Sequence, residues 1–519
     1  MELYTGAILL KVANPLRRAY LLEFMTPIYN LRISQSTIAP DGFQRSAIVA
    51  NGLFPGPLLS AIKGRQFQIK VMNEAAIPIT IHWHGLLQNV GENWVDGTLG
   101  VTQCEILPLH SYLYTFQANQ AGTFSYRAHA PGHHVDTLAG SVVVYDINDP
   151  HGDRYDVDTS DTIINLSDYY HSDTATLMQS YLNGETKSYI PSPDSVLING
   201  KGRYAGGPDV PLDVTNVRQG MRLRFRVANI GTAAALQFSI DAHQLTVIEV
   251  DGTSVEPYVV TRLRVDVGQR YSVVVNANQP INNYWMRAEM DSTCFENVNQ
   301  PLHFAILRYM GALPRDPLPP AALTGIMDFN QIAVHPLTNS PEPGSALPEN
   351  VDVEITLDVT YKADSFRWFV NDITWRPDDE PTLLQVLNGV DILSSPTKMI
   401  IPVPQGSSVK ITINNNDQCP KPFYLHGHKF HVISDNGSPS NLVNPIIRDT
   451  VTVAGNGNVV LRFQTGNPGV WALHSQNEWH RQAGLLAQLA YSQDDISEAV
   501  HPNAEWKQLC PLAQSTKAF

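Results

Sequence analysis

The 519-residue chain lacks features that would point to two common classes of protein. No uninterrupted apolar run reaches the roughly 20 residues that a membrane-spanning helix requires. Long runs of basic residues are also missing, and the net charge is −14. An acidic chain without a basic patch is a poor match for the phosphate backbone of a nucleic acid. The sequence therefore indicates neither a membrane span nor nucleic-acid binding.

The residues that are present suit a large protein built from strands. Hydrophobic residues make up 43% of the chain and aromatic residues 9%, which is enough for well-filled cores. Its length allows three domains of ordinary size. The 34 glycines and 36 prolines are scattered, and the apolar stretches between them are short. We therefore predict an all-β protein with many short strands.

Residues 1–26 form a leader whose role the sequence leaves open. The stretch 6–12 is mildly apolar, but Glu2 precedes it and Arg17-Arg18 follow it. This order of charges is the reverse of that in a secretory signal. Three interpretations stand side by side: an intracellular leader, a diverged signal, or an incorrectly assigned start.

Two histidines lie on a predicted strand. Residues 66–71 alternate polar and apolar side chains, as a half-buried strand does, and the stretch Ile-His-Trp-His-Gly follows at residues 81–85. Alternate side chains of a strand share one face, so we expect His82 and His84 to point the same way. Imidazoles placed in this way can ligate neighbouring metal ions.

Four histidine-bearing stretches resemble, in order and spacing, the copper motifs of laccases and other multicopper oxidases. They are residues 81–85, 122–129, 421–428 and 469–485. The resemblance extends from Tyr29 to Pro511 and implies three cupredoxin-like Greek-key β-sandwich domains. We expect these domains at residues 27–150, 151–311 and 349–519, the last including a C-terminal tail. A Pro-rich linker is expected at residues 312–348.

The resemblance implies that the blue (type 1) copper position has lost its ligands. Laccases bind this copper with a His, a Cys and a second His, and the chain has Lys421, Ser475 and His480 at those positions. A protonated lysine has no lone pair to donate, and a serine hydroxyl is a poor substitute for a thiolate. We therefore predict that type 1 copper is absent.

Two further copper positions of the family are incomplete. The two histidines of the type 2 copper correspond to His82 and Tyr424. One metal of the type 3 pair corresponds to His84, Arg127 and Gln476, of which only His84 is a usual ligand.

The second type 3 metal keeps a complete set of ligands in His129, His426 and His474. Three histidines with an open coordination position can bind one copper or zinc ion. An acidic turn that the family places near the copper cluster matches residues 94–97, which include Asp96. The alternative is that these histidines are relics held by hydrogen bonds in a rigid core.

A second candidate centre follows from the alternation of side chains. Ser475 lies between His474 and Gln476 on a predicted strand, so it faces away from the histidines. We expect it to share a pocket with Lys421 and His480. An imidazole beside an ammonium and a hydroxyl could act as a general acid or base. The alternative is that His480 only bonds Ser475 and fills space.

The four cysteines and two glycosylation sequons bear on the compartment. The resemblance implies a disulfide between Cys104 and Cys510, whereas we interpret Cys294 and Cys419 as buried small hydrophobic residues. Sequons occur at residues 165–167 and 436–438. Both features are typical of an oxidising compartment. The resemblance implies secretion, while the leader leaves an intracellular location open.

We predict a laccase-like protein that does not couple phenol oxidation to four-electron reduction of oxygen. Its ligand is expected to be a small aromatic or polyketide-like molecule, and the reaction a redox-neutral cyclisation, dehydration or cycloaddition of secondary metabolism. One alternative is a non-catalytic binding or scaffold protein. Another is an oxidoreductase with one remaining metal ion. The sequence leaves the oligomeric state open.

Overall fold

Short strands dominate the chain, and the all-β prediction is confirmed. The structure is a computed structural model, and it describes residues 28–129, 137–186, 190–295, 304–318, 323–338 and 350–517. The leader at residues 1–26 lies outside these ranges. Within them the strands form six sheets, two in each of three stretches of chain. The strands of the three stretches span residues 28–145, 163–309 and 353–490.

The first stretch contains eight strands in two four-stranded sheets, ordered β2-β1-β4-β6 and β3-β8-β7-β5. The strands are β1 (Ile28–Ile38), β2 (Arg45–Ala50), β3 (Leu59–Ile62), β4 (Gln66–Asn73), β5 (Ile81–His84), β6 (Ser111–Gln117), β7 (Gly122–Ala128) and β8 (Ala139–Tyr145). In β4, Phe67, Ile69 and Val71 are fully buried while Lys70 is exposed, as the alternation in the sequence predicts.

The second stretch forms a six-stranded sheet, β10-β9-β12-β17-β14-β15, and a five-stranded sheet, β11-β19-β18-β13-β16. The strands are β9 (Ile163–Tyr169), β10 (Ser195–Ile198), β11 (Val214–Val217), β12 (Arg222–Asn229), β13 (Leu236–Ile240), β14 (Leu245–Val250), β15 (Thr253–Val260), β16 (Leu263–Val265), β17 (Arg270–Asn276), β18 (Asn283–Met290) and β19 (Phe304–Tyr309).

The third stretch repeats this arrangement with sheets ordered β21-β20-β23-β28-β25-β26 and β22-β30-β29-β24-β27. The strands are β20 (Val353–Lys362), β21 (Arg367–Val370), β22 (Met399–Pro402), β23 (Ser408–Asn415), β24 (Lys421–Leu425), β25 (Phe430–Asp435), β26 (Ile447–Arg448), β27 (Thr450–Val453), β28 (Asn458–Gln464), β29 (Val470–Ser475) and β30 (Leu486–Ala490).

Helices are few and mostly short in the described part of the chain. They are α1 (Thr174–Leu182), α2 (Thr382–Leu387), α3 (Glu478–Gln482), α4 (Gln493–Ala499) and α5 (Ala504–Lys517). Single 3₁₀ turns occur at Asn93–Val95, Ser160–Thr162 and Gln331–Ala333. In the described part of the chain, no helix has the length and apolar character needed to cross a membrane.

Disulfides and buried ion pairs join the domains. Cys104 is bonded to Cys510, as the resemblance implied. The interpretation of Cys294 and Cys419 as unpaired hydrophobic residues is wrong, because they form a second disulfide. These cysteines are 125 residues apart, in loops of the second and third domains, and their Cα atoms lie 5.8 Å apart. The sequence could not show this pairing because only the packing of two domains brings the loops together.

A buried ion pair also ties the second domain to the third. The guanidinium of Arg270 donates to both carboxylate oxygens of Asp449, each at 2.6 Å. Arg448 donates to Asp251 in the opposite direction across the same boundary, at 2.8 Å. Charges that are buried in this way are tolerated because each guanidinium has a carboxylate partner.

Candidate metal centre

Strands from the first and third domains bring the predicted ligands together. His82 and His84 lie on β5, which pairs with β7, and His129 follows the end of β7. His474 lies on β29, which pairs with β24, and His426 follows the end of β24. All five side chains are at most 2% exposed. We call these five residues the histidine cluster.

Two imidazoles of the cluster face each other through their Nε2 atoms. The Nε2 atoms of His426 and His474 are 2.9 Å apart. The other ring nitrogen of each contacts an acceptor: His426 Nδ1 lies 3.0 Å from Asp96 Oδ2, and His474 Nδ1 lies 2.8 Å from the carbonyl oxygen of Ser475. In the neutral rings, these acceptors place the proton on Nδ1. Both Nε2 lone pairs then point into the same space, an arrangement that suits one shared cation.

His129 completes the group. Its Nε2 is buried and has no hydrogen-bond partner. One nitrogen from each of His129, His426 and His474 lies within 4.8 Å of the others. We call these three residues the His₃ group, and the structure brings them together as the sequence predicted.

The surroundings keep these imidazoles neutral and oriented. Burial lowers the pKa of His426 to about 4 against the opposing effect of Asp96, and burial followed by Arg481 lowers that of His129. Burial raises the pKa of Asp96, but its contacts with His426 and His82 outweigh that effect and hold the pKa below the ordinary value. The Asp96 carboxylate also accepts a hydrogen bond from Thr98 at 2.5 Å.

His82 lies beside the His₃ group. Its Nδ1 is 2.8 Å from the backbone oxygen of Asp96, and its Nε2 is buried without a partner. His82, Asp96 and His426 also have possible ligand atoms within 4.8 Å of one another. The Nδ1 atoms of His82 and His426 both contact Asp96. His82 Nε2 is therefore a further nitrogen without a partner beside the His₃ group.

His84 makes its hydrogen bonds away from this convergence of nitrogens. Its Nε2 is 2.8 Å from the backbone oxygen of Gly268 and 3.2 Å from Arg270 Nη1. The other two residues of its predicted set bond each other, since Arg127 Nη1 donates to Gln476 Oε1 at 2.9 Å. A metal ion therefore has no set of donors here.

Tyr424 takes up the place of the lost type 2 ligand. Its ring centroid lies 4.1 Å from that of His84 and 4.5 Å from that of His426, and its hydroxyl accepts a hydrogen bond from the Gly85 N–H at 2.9 Å. Burial and then Asp449 raise its pKa above the ordinary value. The phenol is therefore a neutral filler between the histidines.

The predicted acid–base residues form a second, separate centre. The Lys421 ammonium is fully buried, donates to Asp417 at 2.6 Å, and lies 4.0 Å from the ring centroid of Trp368. Ser475 Oγ lies 3.4 Å from His480 Nδ1. We call Lys421, Asp417, Trp368, Ser475 and His480 the Lys421 site.

The local fold fixes His480 in this site. Asn477 caps α3 by accepting hydrogen bonds from the N–H groups of Trp479 and His480. The His480 ring packs against Trp368, with ring centroids 4.7 Å apart, and the residue is 2% exposed. Burial, and then the Lys421 charge, lowers the pKa of His480 below its ordinary value.

Sequence reasoning missed two members of the Lys421 site. Asp417 lies four residues before Lys421, in the loop that leads into β24, and Trp368 comes from β21. The short spacing of two opposite charges was the one available signal for Asp417. Trp368 carries no such signal because it reaches the site only through the packing of β21 against α3.

The fold and the buried histidines define a three-domain cupredoxin-like protein with donors for metal. Sequence patterns of the multicopper oxidases match residues 32–149, 160–312 and 373–495. Laccase-4 of Trametes villosa is 40% identical over 501 residues, covering 93% of each chain. The laccase of Phlebia radiata is 38% identical over 533 aligned positions, covering 100% of this chain and 99% of its own.

Solved structures agree with these relatives. The multicopper oxidase Fet3p, which functions in iron import, superposes with a TM-score of 0.84 at 26% identity, covering 94% of this chain and 95% of its own. The laccase of Botrytis aclada gives a TM-score of 0.83 at 27% identity, covering 95% and 93%. The chain belongs to the laccase and multicopper oxidase family, and copper is the metal that this family implies.

The residues of the His₃ group fit a copper ion, and those of the Lys421 site do not. In the His₃ group, the unpartnered His129 Nε2 and the facing nitrogens of His426 and His474 are the donors that a divalent ion takes. In the Lys421 site, an ammonium already paired with Asp417 stands where a ligand is required, and no thiolate is present. Blue copper does not fit there.

Proposed function

We propose that this protein is a member of the laccase family that has lost four-electron reduction of oxygen and retains one metal ion, copper or zinc, bound by His129, His426 and His474. The observation that carries the proposal is the 2.9 Å separation of the His426 and His474 Nε2 atoms. It is shorter than two metal–nitrogen bonds of about 2.0–2.1 Å laid end to end, so one ion can contact both.

The loss of oxidase chemistry follows from the Lys421 site. Type 1 copper accepts electrons through a copper–thiolate bond, and Ser475 cannot form one. Lys421 adds a buried positive charge that is satisfied by Asp417 and by the carbonyl of Cys419 at 3.2 Å. With Arg127 bonded to Gln476, the partner metal of the His₃ group keeps only His84 of its three ligand positions.

The chain's own residues would orient the remaining ligands. Asp96 holds the His426 ring through Nδ1, and the Ser475 carbonyl holds the His474 ring in the same manner. Such partners fix the tautomer that leaves Nε2 free. A divalent ion bound by three histidines supplies Lewis acidity and an open position.

A second candidate function is redox-neutral chemistry at His480 on a small aromatic or polyketide-like molecule. It is favoured by the 3.4 Å contact between Ser475 Oγ and His480 Nδ1 and by the lowered pKa of His480, which keeps the imidazole a neutral base. Cyclisation, dehydration and cycloaddition need no electron acceptor. His480 is 2% exposed and packs against Trp368, so a substrate reaches the imidazole only after neighbouring side chains move.

The deciding experiment combines metal analysis, a visible spectrum and a phenol-oxidation assay on purified protein supplied with copper or with zinc. We expect about one ion per chain after dialysis, no intense blue band and no turnover of simple phenols. An intense blue colour or laccase turnover contradicts the loss of type 1 copper. Absence of bound metal removes the His₃ proposal and leaves the His480 enzyme and the non-catalytic binding protein.

Ligand binding then separates those two. Product formed from a bound aromatic molecule by wild-type protein, with a loss of about 10²–10⁴ in rate in His480→Ala, supports the enzyme. Binding without any product supports the binding or scaffold protein.

A further inference from the structure

The three rings of the His₃ group differ in the neighbour of the ring nitrogen Nδ1. For His426 and His474 that neighbour is an oxygen, at 3.0 and 2.8 Å, and an oxygen accepts a hydrogen bond. For His129 the neighbour is a donor, because Arg481 Nη1 lies 3.5 Å from His129 Nδ1. The three candidate ligands are therefore not equivalent.

The contact with Arg481 decides which nitrogen of His129 carries the proton. A guanidinium offers N–H donors only and stays protonated in proteins, so it meets Nδ1 favourably when Nδ1 presents a lone pair. Burial, followed by the charge of Arg481, lowers the pKa of His129, which makes the ring neutral with a single proton. That proton then lies on Nε2, the nitrogen that is buried without a partner.

This tautomer opposes a metal ion at His129. An ion binds a histidine nitrogen through its lone pair, so the proton would first have to move from Nε2 to Nδ1. There it would face the N–H of Arg481, and two donors would meet in a buried space. His426 and His474 meet no such opposition, because acceptors already hold their protons on Nδ1.

Arg481 is held firmly beside the ring. It is 1% exposed, its Nε donates to Glu478 Oε2 at 3.0 Å, and its Nη2 donates to Glu478 Oε1. This two-point pairing leaves Nη1 for His129. Glu478 is fixed in turn, since its N–H donates to the Thr232 carbonyl oxygen at 2.9 Å and its carboxylate accepts from Gln482 at 2.8 Å. Turning the guanidinium away would leave a buried carboxylate without its partner.

We propose that Arg481, positioned by Glu478, sets the metal affinity of the His₃ group by holding His129 in the tautomer with its proton on Nε2. His426 and His474 are prepared for the ion, and His129 becomes a ligand only after its proton has moved to Nδ1. The effect on affinity rests on the proposed metal ion, whereas the tautomer of His129 exists without metal. Arg481 is thus a positioning residue.

The first test measures the tautomers in metal-free wild-type protein labelled with ¹⁵N-histidine. Nitrogen chemical shifts distinguish protonated from unprotonated ring nitrogens, and the signals lost in His129→Ala and in His426→Ala assign those two rings. We expect the proton on Nε2 in His129 and on Nδ1 in His426. This measurement needs no variant of Arg481, and a proton on Nδ1 of His129 overturns the proposal.

The second test removes the ion pair as a unit in Arg481→Leu/Glu478→Gln, which leaves the net charge unchanged. Competition with a chelator measures the dissociation constant for zinc, and the variant should bind zinc about 10–100-fold more tightly than the wild type. The matched control is Arg287→Leu/Asp241→Asn, which removes a two-point ion pair from the second domain and should leave zinc affinity unchanged.

His129→Ala completes a thermodynamic cycle with the double variant. It should weaken zinc binding about 10–100-fold more in the double variant than in the wild type, because only there is the Nε2 lone pair available without opposition. A merely structural role of the ion pair would not couple it to His129. Equal losses in the two backgrounds overturn the proposal, as does zinc affinity that removal of the pair leaves unchanged.

The same measurements separate this inference from the proposed function. If the wild type binds no zinc and no copper, the proposed metal ion of the wild type is refuted. Zinc binding that is gained in the double variant would still support the role of Arg481. If neither protein binds zinc, both proposals are overturned.

Discussion

The Lys421 site and the His₃ group both occupy copper positions of the family, but they have changed in opposite ways. In the Lys421 site every new charge has a partner: the ammonium is bonded to Asp417 and packs on Trp368. In the His₃ group the nitrogens still face one another, and His129 Nε2 has no partner. In the first site the charged groups are satisfied without a metal ion. In the second, ring nitrogens remain that a metal ion can bind.

This difference shows how a buried metal site can be lost. Replacing a ligand leaves neighbouring polar groups unsatisfied in a dry interior, which costs stability unless a new partner takes over. Lys421 gained Asp417, and Arg127 gained Gln476 together with the backbone oxygen of Gly231. In the His₃ group, Arg481 Nη1 lies 3.5 Å from His129 Nδ1, but among the described residues no hydrogen-bond partner has taken over His129 Nε2.

Metal retention gives the largest expected contrast. His426→Ala removes the nitrogen at the centre of the His₃ group, so retained metal should fall from about one ion per chain to none. His84→Ala is the matched control, because its ring nitrogen contacts the Gly268 oxygen instead of the group. Elemental analysis after dialysis measures both. Equal loss in the two variants would contradict the separation of His84 from the His₃ group.

Breaking the ion pair tests whether the Lys421 site is complete. Lys421→Met leaves the Asp417 carboxylate without its partner and should lower the free energy of unfolding by about 3–5 kcal/mol. The double variant Lys421→Met/Asp417→Asn should recover most of that loss. Denaturant titration near pH 7 measures both, and equal stability of the single variant and the wild type would refute the role of the pair.

The same pair predicts a dependence on pH. Burial lowers the pKa of Lys421 to about 8, below the value of about 10.4 for an unfolded chain. Between these values the unfolded state binds more protons, so this group adds stability as pH rises through the window. The stability of wild type minus that of the double variant should therefore increase from pH 8 to 10. A flat difference would show that the ammonium titrates normally.

The Cys294–Cys419 disulfide should anchor the loop that carries Asp417. Replacing both cysteines by alanine should cost about 2–5 kcal/mol of unfolding free energy, because the unfolded chain gains freedom. The loss is measured against wild type under the same oxidising conditions, with Cys104→Ala/Cys510→Ala for comparison. If the variant is as stable as the wild type, the bridge does not constrain the chain.

The smallest expected effect concerns His480. Burial and Lys421 both lower its pKa, so Lys421→Met should raise it only part of the way toward the ordinary value. An NMR titration of the imidazole in the wild type and in Lys421→Met measures the change. A pKa that does not move, or that falls, would show that Lys421 has no electrostatic contact with His480.

Sequence alone determined the fold class and the membership of the His₃ group. Strand alternation shows that His82 and His84 share a face, and the resemblance of the four motifs to those of laccases assigns His129, His426 and His474 to one metal. It also showed that Ser475 faces away from the histidines, since neighbours on a strand point to opposite sides. These features are local, so the sequence carries them directly.

Tertiary structure alone decided which replaced residues found partners. The contact of Arg127 with Gln476 joins residues 349 positions apart, and the disulfide of Cys294 with Cys419 joins two domains. Trp368 contacts His480 only because β21 packs against α3. Such contacts depend on how separate elements are packed, and the periodicity of one strand contains no information about the side chains of another domain.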